Sequence, residues 1–138
     1  MATNLEDLGQ AIKRAQYRNH RTMDAALLRA AGVSLVQWDA LRAIDRMPGA
    51  SGHDLAVATF QSDQAFGTLA SRLVGRGLIE RATGRGRRLE YTLTESGRDA
   101  LAEGHRIASG VLRRLFTPLS ESQRESLFEA LKVLNTEE

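Results

Sequence analysis

Cysteine is absent from this 138-residue sequence, so the chain can form neither a disulfide framework nor a thiol redox sensor. Long apolar runs are absent too, since the longest are far shorter than the roughly 20 residues that a membrane-crossing helix needs. The opening "MATNLEDLGQAIKRAQ" carries acids early and has no apolar core segment, which argues against a secretory signal. These absences favour a cytoplasmic protein with no membrane partner.

Catalytic and metal-binding patterns are also missing. No Ser-His-Asp order with supporting context occurs, and "GRGRR" lacks the lysine-serine ending and the following helix of a phosphate-binding loop. The three histidines, His20, His53 and His105, are widely spaced and form no His-x-x-x-His pair. The sequence therefore predicts no enzyme activity, no metal and no cofactor.

The charge is small in sum but uneven along the chain. Apolar residues make up 42% of the sequence, which is typical of a globular protein, and the net charge is +2. Six arginines face two acidic residues between positions 63 and 88, whereas two basic residues face five glutamates between 119 and 138. This distribution indicates a positive pole in the middle of the chain and an acidic end, or else ordinary solvated surface.

Hydrophobic periodicity predicts four helices in the first half of the chain. The first runs to about residue 29, and its thin, partly polar stripe indicates packing against a partner. Ser34 opens a second helix through a capping box with Gln37. Ser51 caps a short third helix, and Ser62 caps a fourth that ends near Gly77.

A hairpin and two more helices follow. "LIERA" and "RLEYTLT" read as strands around the basic loop, with Leu89, Tyr91 and Leu93 on the buried side of the second strand. Thr94 caps a fifth helix, and Ser120 opens a sixth through a capping box with Gln123. The predicted fold is mainly α with a small β-hairpin wing: a winged helix-turn-helix plus a helical dimerisation region.

The fourth helix has two distinct faces. Phe66, Leu69, Ala70 and Leu73 fall on one side of a helical wheel and are predicted to be buried. The predicted DNA-binding residues occupy the other side and its flanks: Ser62, Asp63, Gln64, Gly67, Thr68, Ser71 and Arg72. These side chains are small and hydrogen-bonding, which suits entry into a major groove about 12 Å wide.

Individual roles on this face differ. Gln64 suits a bidentate contact to adenine, and Thr68 a weaker base contact or a thymine methyl. Asp63 either accepts from cytosine N4 or serves the helix dipole as an N-terminal charge. Ser62 is expected to be a cap whose neighbouring amides also meet a phosphate.

The loop "TGRGRR" completes the predicted interface. In a winged helix the hairpin tip lies beside the recognition helix and reaches the DNA backbone or the minor groove, both of which attract arginine. Arg85 and Arg87 are the predicted contacts, while Arg88 has either a contact or a structural role. Gly84 and Gly86 permit positive φ angles there, and a merely solubilising loop is the alternative.

The segment "LAVATFQSDQAFGTLASRLVGRGLIER" followed by "RRLEYTLTESGR" resembles the MarR family of bacterial transcriptional regulators. The paired motifs "RGLIER" and "LTESG" carry the resemblance, and "VSLVQWDALRAI" and "LSESQRESLFEALKVL" extend it over nearly the whole chain. The family's wing usually has an aspartate before its arginines, in a pattern like D-x-R-R. This loop has none, so the usual carboxylate support for a wing arginine is missing.

The resemblance implies a homodimer that binds double-stranded DNA. Residues 34–97 would form the DNA-binding lobe, and residues 1–30 and 98–138 would form interleaved dimerisation helices. Many members are repressors of pseudo-palindromic operators that small aromatic or anionic ligands release. By resemblance, Tyr17, His20, Trp38 and His105 approach such a ligand cleft. The alternatives are a core role for Trp38 and surface or interface roles for the two histidines.

Two other functions remain open at this point. A winged helix can serve protein contact, or it can bind DNA architecturally without an inducer. An architectural protein would lack a specificity ratio over random DNA.

Overall fold

The computed structural model describes residues 2–84, 86 and 88–136, and it confirms the predicted fold class. Six helices and one two-stranded antiparallel sheet follow in the predicted order. Their bounds are α1 Leu5–Ala31, α2 Leu35–Arg46, α3 Gly52–Ala58, α4 Asp63–Gly75, β1 Ile79–Thr83, β2 Leu89–Leu93, α5 Glu95–Phe116 and α6 Glu121–Leu134. Among the described residues, none of the helices combines the length and the apolar character that crossing a membrane requires.

Hydroxyl caps begin five of the six helices. Ser34, Ser51 and Ser120 each form a reciprocal capping box with the residue three positions later. Ser62 and Thr94 accept from the backbone N–H three residues on. Because each such cap contributes about 1 kcal/mol, these residues determine where the helices start, as the sequence predicted.

The turn between α3 and α4 has an unusual backbone. Phe60 adopts a φ of 59°, in the left-handed region that glycine usually occupies. The Gln61 N–H donates to the Ala56 carbonyl at 2.8 Å, which closes the turn. The Phe60 side chain is 97% exposed, so burial does not compensate this strain.

Helix α4 ends at Gly75, two residues before the predicted end. Gly77 has a φ of 72°, and its N–H donates to the Val74 carbonyl. The Leu78 N–H donates to the Leu73 carbonyl at 3.0 Å. These two bonds form a glycine-based helix stop that turns the chain into β1.

The first turn of α5 lies directly against this stop. The Thr94 hydroxyl donates to the Gly77 carbonyl at 2.6 Å, and a Cβ on Gly97 would lie 1.9 Å from the Leu78 carbonyl oxygen. The "LTESG" motif therefore has a structural reason, because only glycine permits this approach of α5 to the backbone.

Trp38 joins α2 to α5 in the core. Its ring is only 4% exposed, and its indole N–H donates to the Leu101 carbonyl at 3.2 Å. His105 meets the ring edge-on with centroids 5.3 Å apart. Gly104 makes this seam possible, because a Cβ there would lie 2.1 Å from Trp38 Nε1.

Two stretches of helix leave their apolar side chains exposed. Within α1 only Met23 and Leu27 are buried, and α6 has no buried residue at all. The exposed apolar residues of these stretches include Leu5, Leu8, Ile12, Leu127, Phe128, Val133 and Leu134. The thin stripe predicted for α1 is thus present, and it finds no cover within the described part of the chain.

The seam at Gly104 gives a stability prediction. Gly104→Ala should lower the free energy of unfolding by about 1–3 kcal/mol, because the new methyl group displaces a hydrogen-bonded indole. Gly75→Ala is the control: its Cβ would meet nothing within 4 Å, so helix propensity alone should raise stability by up to about 1 kcal/mol. Chemical denaturation measures the free energy of unfolding of both variants. Equal changes would contradict a close contact between Gly104 and Trp38.

Candidate nucleic-acid interface

The two faces of α4 are those that the wheel predicts. Phe66, Ala70 and Leu73 are buried and Leu69 is half-buried. On the other side the predicted DNA-binding residues are exposed, namely Ser62, Asp63, Gln64, Thr68, Ser71 and Arg72, while Gly67 is half-buried. This outer face therefore consists of small and polar groups that stand free of the core.

Asp63 is paired with a residue that the sequence argument did not include in the interface. Its Oδ1 lies 2.9 Å from Nδ1 of His53 on α3, and both side chains are 69% exposed. The hydrogen bond to Asp63, and then its charge, raise the pKa of His53. The pair ties the first turn of α4 to α3 and occupies the carboxylate that was predicted to read a base or serve the helix dipole.

Three other side chains on this face also make local bonds. Ser62 Oγ accepts from the Ala65 N–H at 3.1 Å, which confirms its role as a cap. The Thr68 hydroxyl donates to the Gln64 carbonyl at 3.1 Å. Ser71 Oγ accepts from Arg81 of β1 at 3.4 Å, a weak contact that links the wing to α4.

Gln64 and Arg72 are the remaining long polar side chains of the face. Neither side chain makes a hydrogen bond to another described residue. Because Thr68 already uses its hydroxyl proton within the helix, its methyl group is the part left for a ligand. The face thus offers one amide, one guanidinium and one methyl group.

The wing packs firmly at its base. Tyr91 of β2 meets Phe66 of α4 edge-on, with ring centroids 5.8 Å apart. Tyr91 and Leu93 are buried as predicted, but Leu89 is 42% exposed. The prediction for Leu89 was wrong because this residue pairs with Thr83 at the tip end of the hairpin, away from the helices.

The wing tip is described only in part. Arg85 and Arg87 lie outside the described residues, so their contacts stay predictions. Gly86 has the expected positive φ, at 63°, whereas Gly84 does not lie in that region. Arg88 donates through Nη2 to the Gly49 carbonyl before α3, which favours the structural role among the two that the sequence left open.

Arg76 performs a positioning role that sequence reasoning missed. Its guanidinium donates to Gln37 Oε1 at 3.0 Å and to the Gly32 carbonyl at 2.8 Å. These bonds join the end of α4 to the connection between α1 and α2. No local pattern announces such contacts, because the partners lie about 40 residues away in the sequence.

The comparisons with known proteins agree with this architecture. Residues 31–89 match the model of the MarR family. This segment of the chain is therefore similar to the winged helix-turn-helix regulators of the MarR family. No curated protein matches it in sequence.

Solved structures of bacterial transcriptional regulators, including MarR proteins, have the same fold over nearly the whole chain. One is Rv2887, a MarR family protein of Mycobacterium tuberculosis in complex with p-aminosalicylic acid. It is 26% identical to this chain, with a TM-score of 0.77, and the alignment covers 94% of this chain and 98% of Rv2887. A probable transcriptional regulator from Pseudomonas aeruginosa is 28% identical, with a TM-score of 0.79 and coverage of 95% and 99%. A mutant MarR from E. coli complexed with operator DNA is 20% identical and shares the fold, with a TM-score of 0.86 and 94% coverage of each chain.

Of the four residues predicted for a ligand cleft, His105 and Trp38 are in contact, whereas His20 lies close to Asp39 of α2. Burial raises the pKa of Asp39, and Arg42 and His20 partly offset this. Tyr17 is 59% exposed and lines a separate surface hollow with Arg18, Arg21 and Thr22.

Trp38 itself behaves as a core residue. Its ring is buried, its N–H is bonded, and the Arg42 guanidinium lies 5.5 Å from the ring centroid. No group of three or more His, Cys, Asp or Glu side chains within the described ranges is arranged to hold a metal ion. The absence of a metal stays a prediction.

The bond from Arg88 to Gly49 gives a second prediction. Arg88→Ala should lower the free energy of unfolding by about 0.5–1.5 kcal/mol, the usual net value of one hydrogen bond. Arg72→Ala is the matched control, since its guanidinium bonds to no other described side chain. Thermal unfolding compares the two, and a loss that is no larger for Arg88→Ala would contradict the anchor.

Proposed function

We propose that this chain is a sequence-specific DNA-binding repressor that acts as a homodimer on pseudo-palindromic operators. The observation that carries the proposal is the exposed face of α4, where Gln64, Arg72 and the Thr68 methyl group are left without a described partner. A solvated helix surface normally carries lysine and glutamate, whereas this face suits close approach to base edges. The Rv2887 and E. coli relatives, whose structures contain p-aminosalicylic acid and operator DNA, support it as well.

Each part of the interface has a distinct role in this proposal. Gln64 and Thr68 read bases, and Arg72 contacts a base or a phosphate at the flank of the helix. Gly67 and Ser71 are small residues that do not hold α4 away from the bases, so the helix can enter the major groove. Ser62 holds the first turn beside the backbone, and Arg85 and Arg87 reach the backbone or minor groove from the wing.

Dimerisation follows from the uncovered apolar residues of α1 and α6. Within the proposal, residues 1–30 and 98–138 form the dimerisation region and residues 34–97 the DNA-binding lobe. The two recognition helices then face successive major grooves, about one helical turn apart.

Release from DNA is assigned to a small aromatic or anionic ligand. Such a ligand acts by favouring a state in which the two recognition helices no longer match the operator spacing. The surroundings of Asp39 on α2 are the candidate cleft, because Arg42 and His20 lie close enough to act on the charge of this carboxylate. The chain works on DNA in the bacterial cytosol, and no catalytic activity is assigned, since MarR-family regulators are in general not enzymes.

The base-reading roles can be tested on duplexes selected from a random pool. Gln64→Ala and Thr68→Ala should each reduce discrimination at one base-pair position by about 1–3 kcal/mol, because one base contact is lost. Thr68→Val is the matched control, since it keeps the methyl group and should keep the discrimination. Titration against duplexes changed at each position measures this.

Two results would argue against that assignment. Equal losses of Gln64→Ala on selected and random DNA would mean that the side chain does not read sequence. Tight binding of the wild-type chain to DNA with no preferred site would instead favour an architectural role.

The dimer can be tested at α6. Phe128→Asp should produce a monomer, because it places a charge among apolar residues that a second chain would cover, and Phe128 is 62% exposed in the single chain. Val57→Asp is the control: Val57 is similarly exposed, at 56%, but belongs to the DNA-binding lobe. Sedimentation equilibrium gives the masses, and a monomeric wild-type chain would refute the dimer.

A further inference from the structure

His53 stands at the edge of the DNA-binding face without any role in the function proposed above. Its Nδ1 lies 2.9 Å from Oδ1 of Asp63, the first residue of α4. The two nitrogens of an imidazole ring point outward in different directions, so a hydrogen bond at Nδ1 leaves Nε2 directed away from Asp63. With a side chain that is 69% exposed, His53 can present this second nitrogen to a ligand.

The charges around His53 come from three elements. Asp54 of α3 and Asp63 of α4 both favour its protonated form. Arg88, next to β2, acts on Asp54, and Asp54 is also held in the capping box of Ser51. Both carboxylates that favour the imidazolium are therefore held in place. Asp54 is held by the Ser51 capping box, and Asp63 by its hydrogen bond to His53.

A bare carboxylate at Asp63 would repel a duplex. It adjoins Ser62 and Gln64, which belong to the same exposed surface, and backbone phosphates on DNA carry one negative charge each. A protonated His53 neutralises Asp63 and adds a donor for a phosphate oxygen. Surface ion pairs contribute little to the stability of the fold. Contact with DNA would therefore explain the presence of the His53–Asp63 pair better than folding does.

We propose that His53 binds a backbone phosphate of duplex DNA through Nε2 while Asp63 holds Nδ1, so that DNA binding is coupled to the uptake of a proton. This inference rests on the proposed DNA-binding function. The phosphate contact carries no sequence information and should strengthen binding to selected and random duplexes alike.

The direction of the pH dependence follows from the charges. The pKa of His53 is already raised in the free protein by Asp63, and a bound phosphate raises it further. DNA affinity is therefore highest at low pH, falls as the pH rises through the interval between the free and bound pKa, and is constant above it. One linked proton changes affinity by at most about tenfold per pH unit.

The experiment is a set of DNA titrations at fixed ionic strength from about pH 5.5 to 8.5, the range in which histidine titrates. The probes are a duplex selected from a random pool and a random duplex. Wild type should lose about three- to tenfold in affinity for both across this range. His53→Gln should bind at all pH values as wild type does at high pH.

One further variant and one spectroscopic measurement separate the pair from the other histidines. Asp63→Asn should move the fall in affinity to lower pH, because the His53 pKa then returns toward its ordinary value. NMR titration of the His53 ring, with and without the duplex, should show a higher pKa in the complex.

The outcomes distinguish this inference from the function on which it rests. If wild type prefers the selected duplex but His53→Gln has the same pH dependence, or the ring pKa does not rise on binding, the coupling is refuted and the repressor stands. If wild type binds no duplex at any pH, both are refuted.

Discussion

The contact between Trp38 and Gly104 is the constraint on which the geometry of this protein depends. It holds α2, and with it the DNA-binding lobe, against the long helix α5. Arg76 adds a second connection, from the end of α4 to the junction of α1 and α2. In the proposed dimer, which α1, α5 and α6 would form, these two contacts would set the distance between the paired recognition helices. In the proposed release mechanism, a ligand that shifts either contact would change that distance and so alter DNA binding.

The arginines of the basic segment divide into two groups. Arg76, Arg81 and Arg88 donate to acceptors within the protein and position α4 and the wing. In the proposed function, Arg72 and the wing-tip residues Arg85 and Arg87 contact the phosphates and grooves of DNA. All of them contribute to the positive potential that attracts a duplex. The wing here lacks the aspartate that usually supports a tip arginine, and Arg88 bonded to Gly49 gives this hairpin a different anchor.

Local signals made much of the fold predictable from the sequence. The capping boxes at Ser34 and Ser120 predicted where α2 and α6 begin. The spacing of Phe66, Ala70 and Leu73 predicted the buried face of α4. Long-range contacts were beyond reach. Neither the pairing of His53 with Asp63 nor the bonds of Arg76 leaves a periodic or local pattern. The exposure of Leu89 depends on how far the hairpin extends beyond the helices, and the left-handed backbone at Phe60 contradicts the preference of its residue type.

The central claim is that two copies of α4 read DNA at a spacing set by the helices behind them. Selection of bound duplexes from a random library by the purified chain, with affinities at two salt concentrations, tests it most directly. The account predicts an inverted repeat whose half-sites lie about one helical turn apart, bound about a thousandfold or more tightly than random DNA. Salt-sensitive binding without an enriched sequence, or an enriched site with no symmetry, would contradict it.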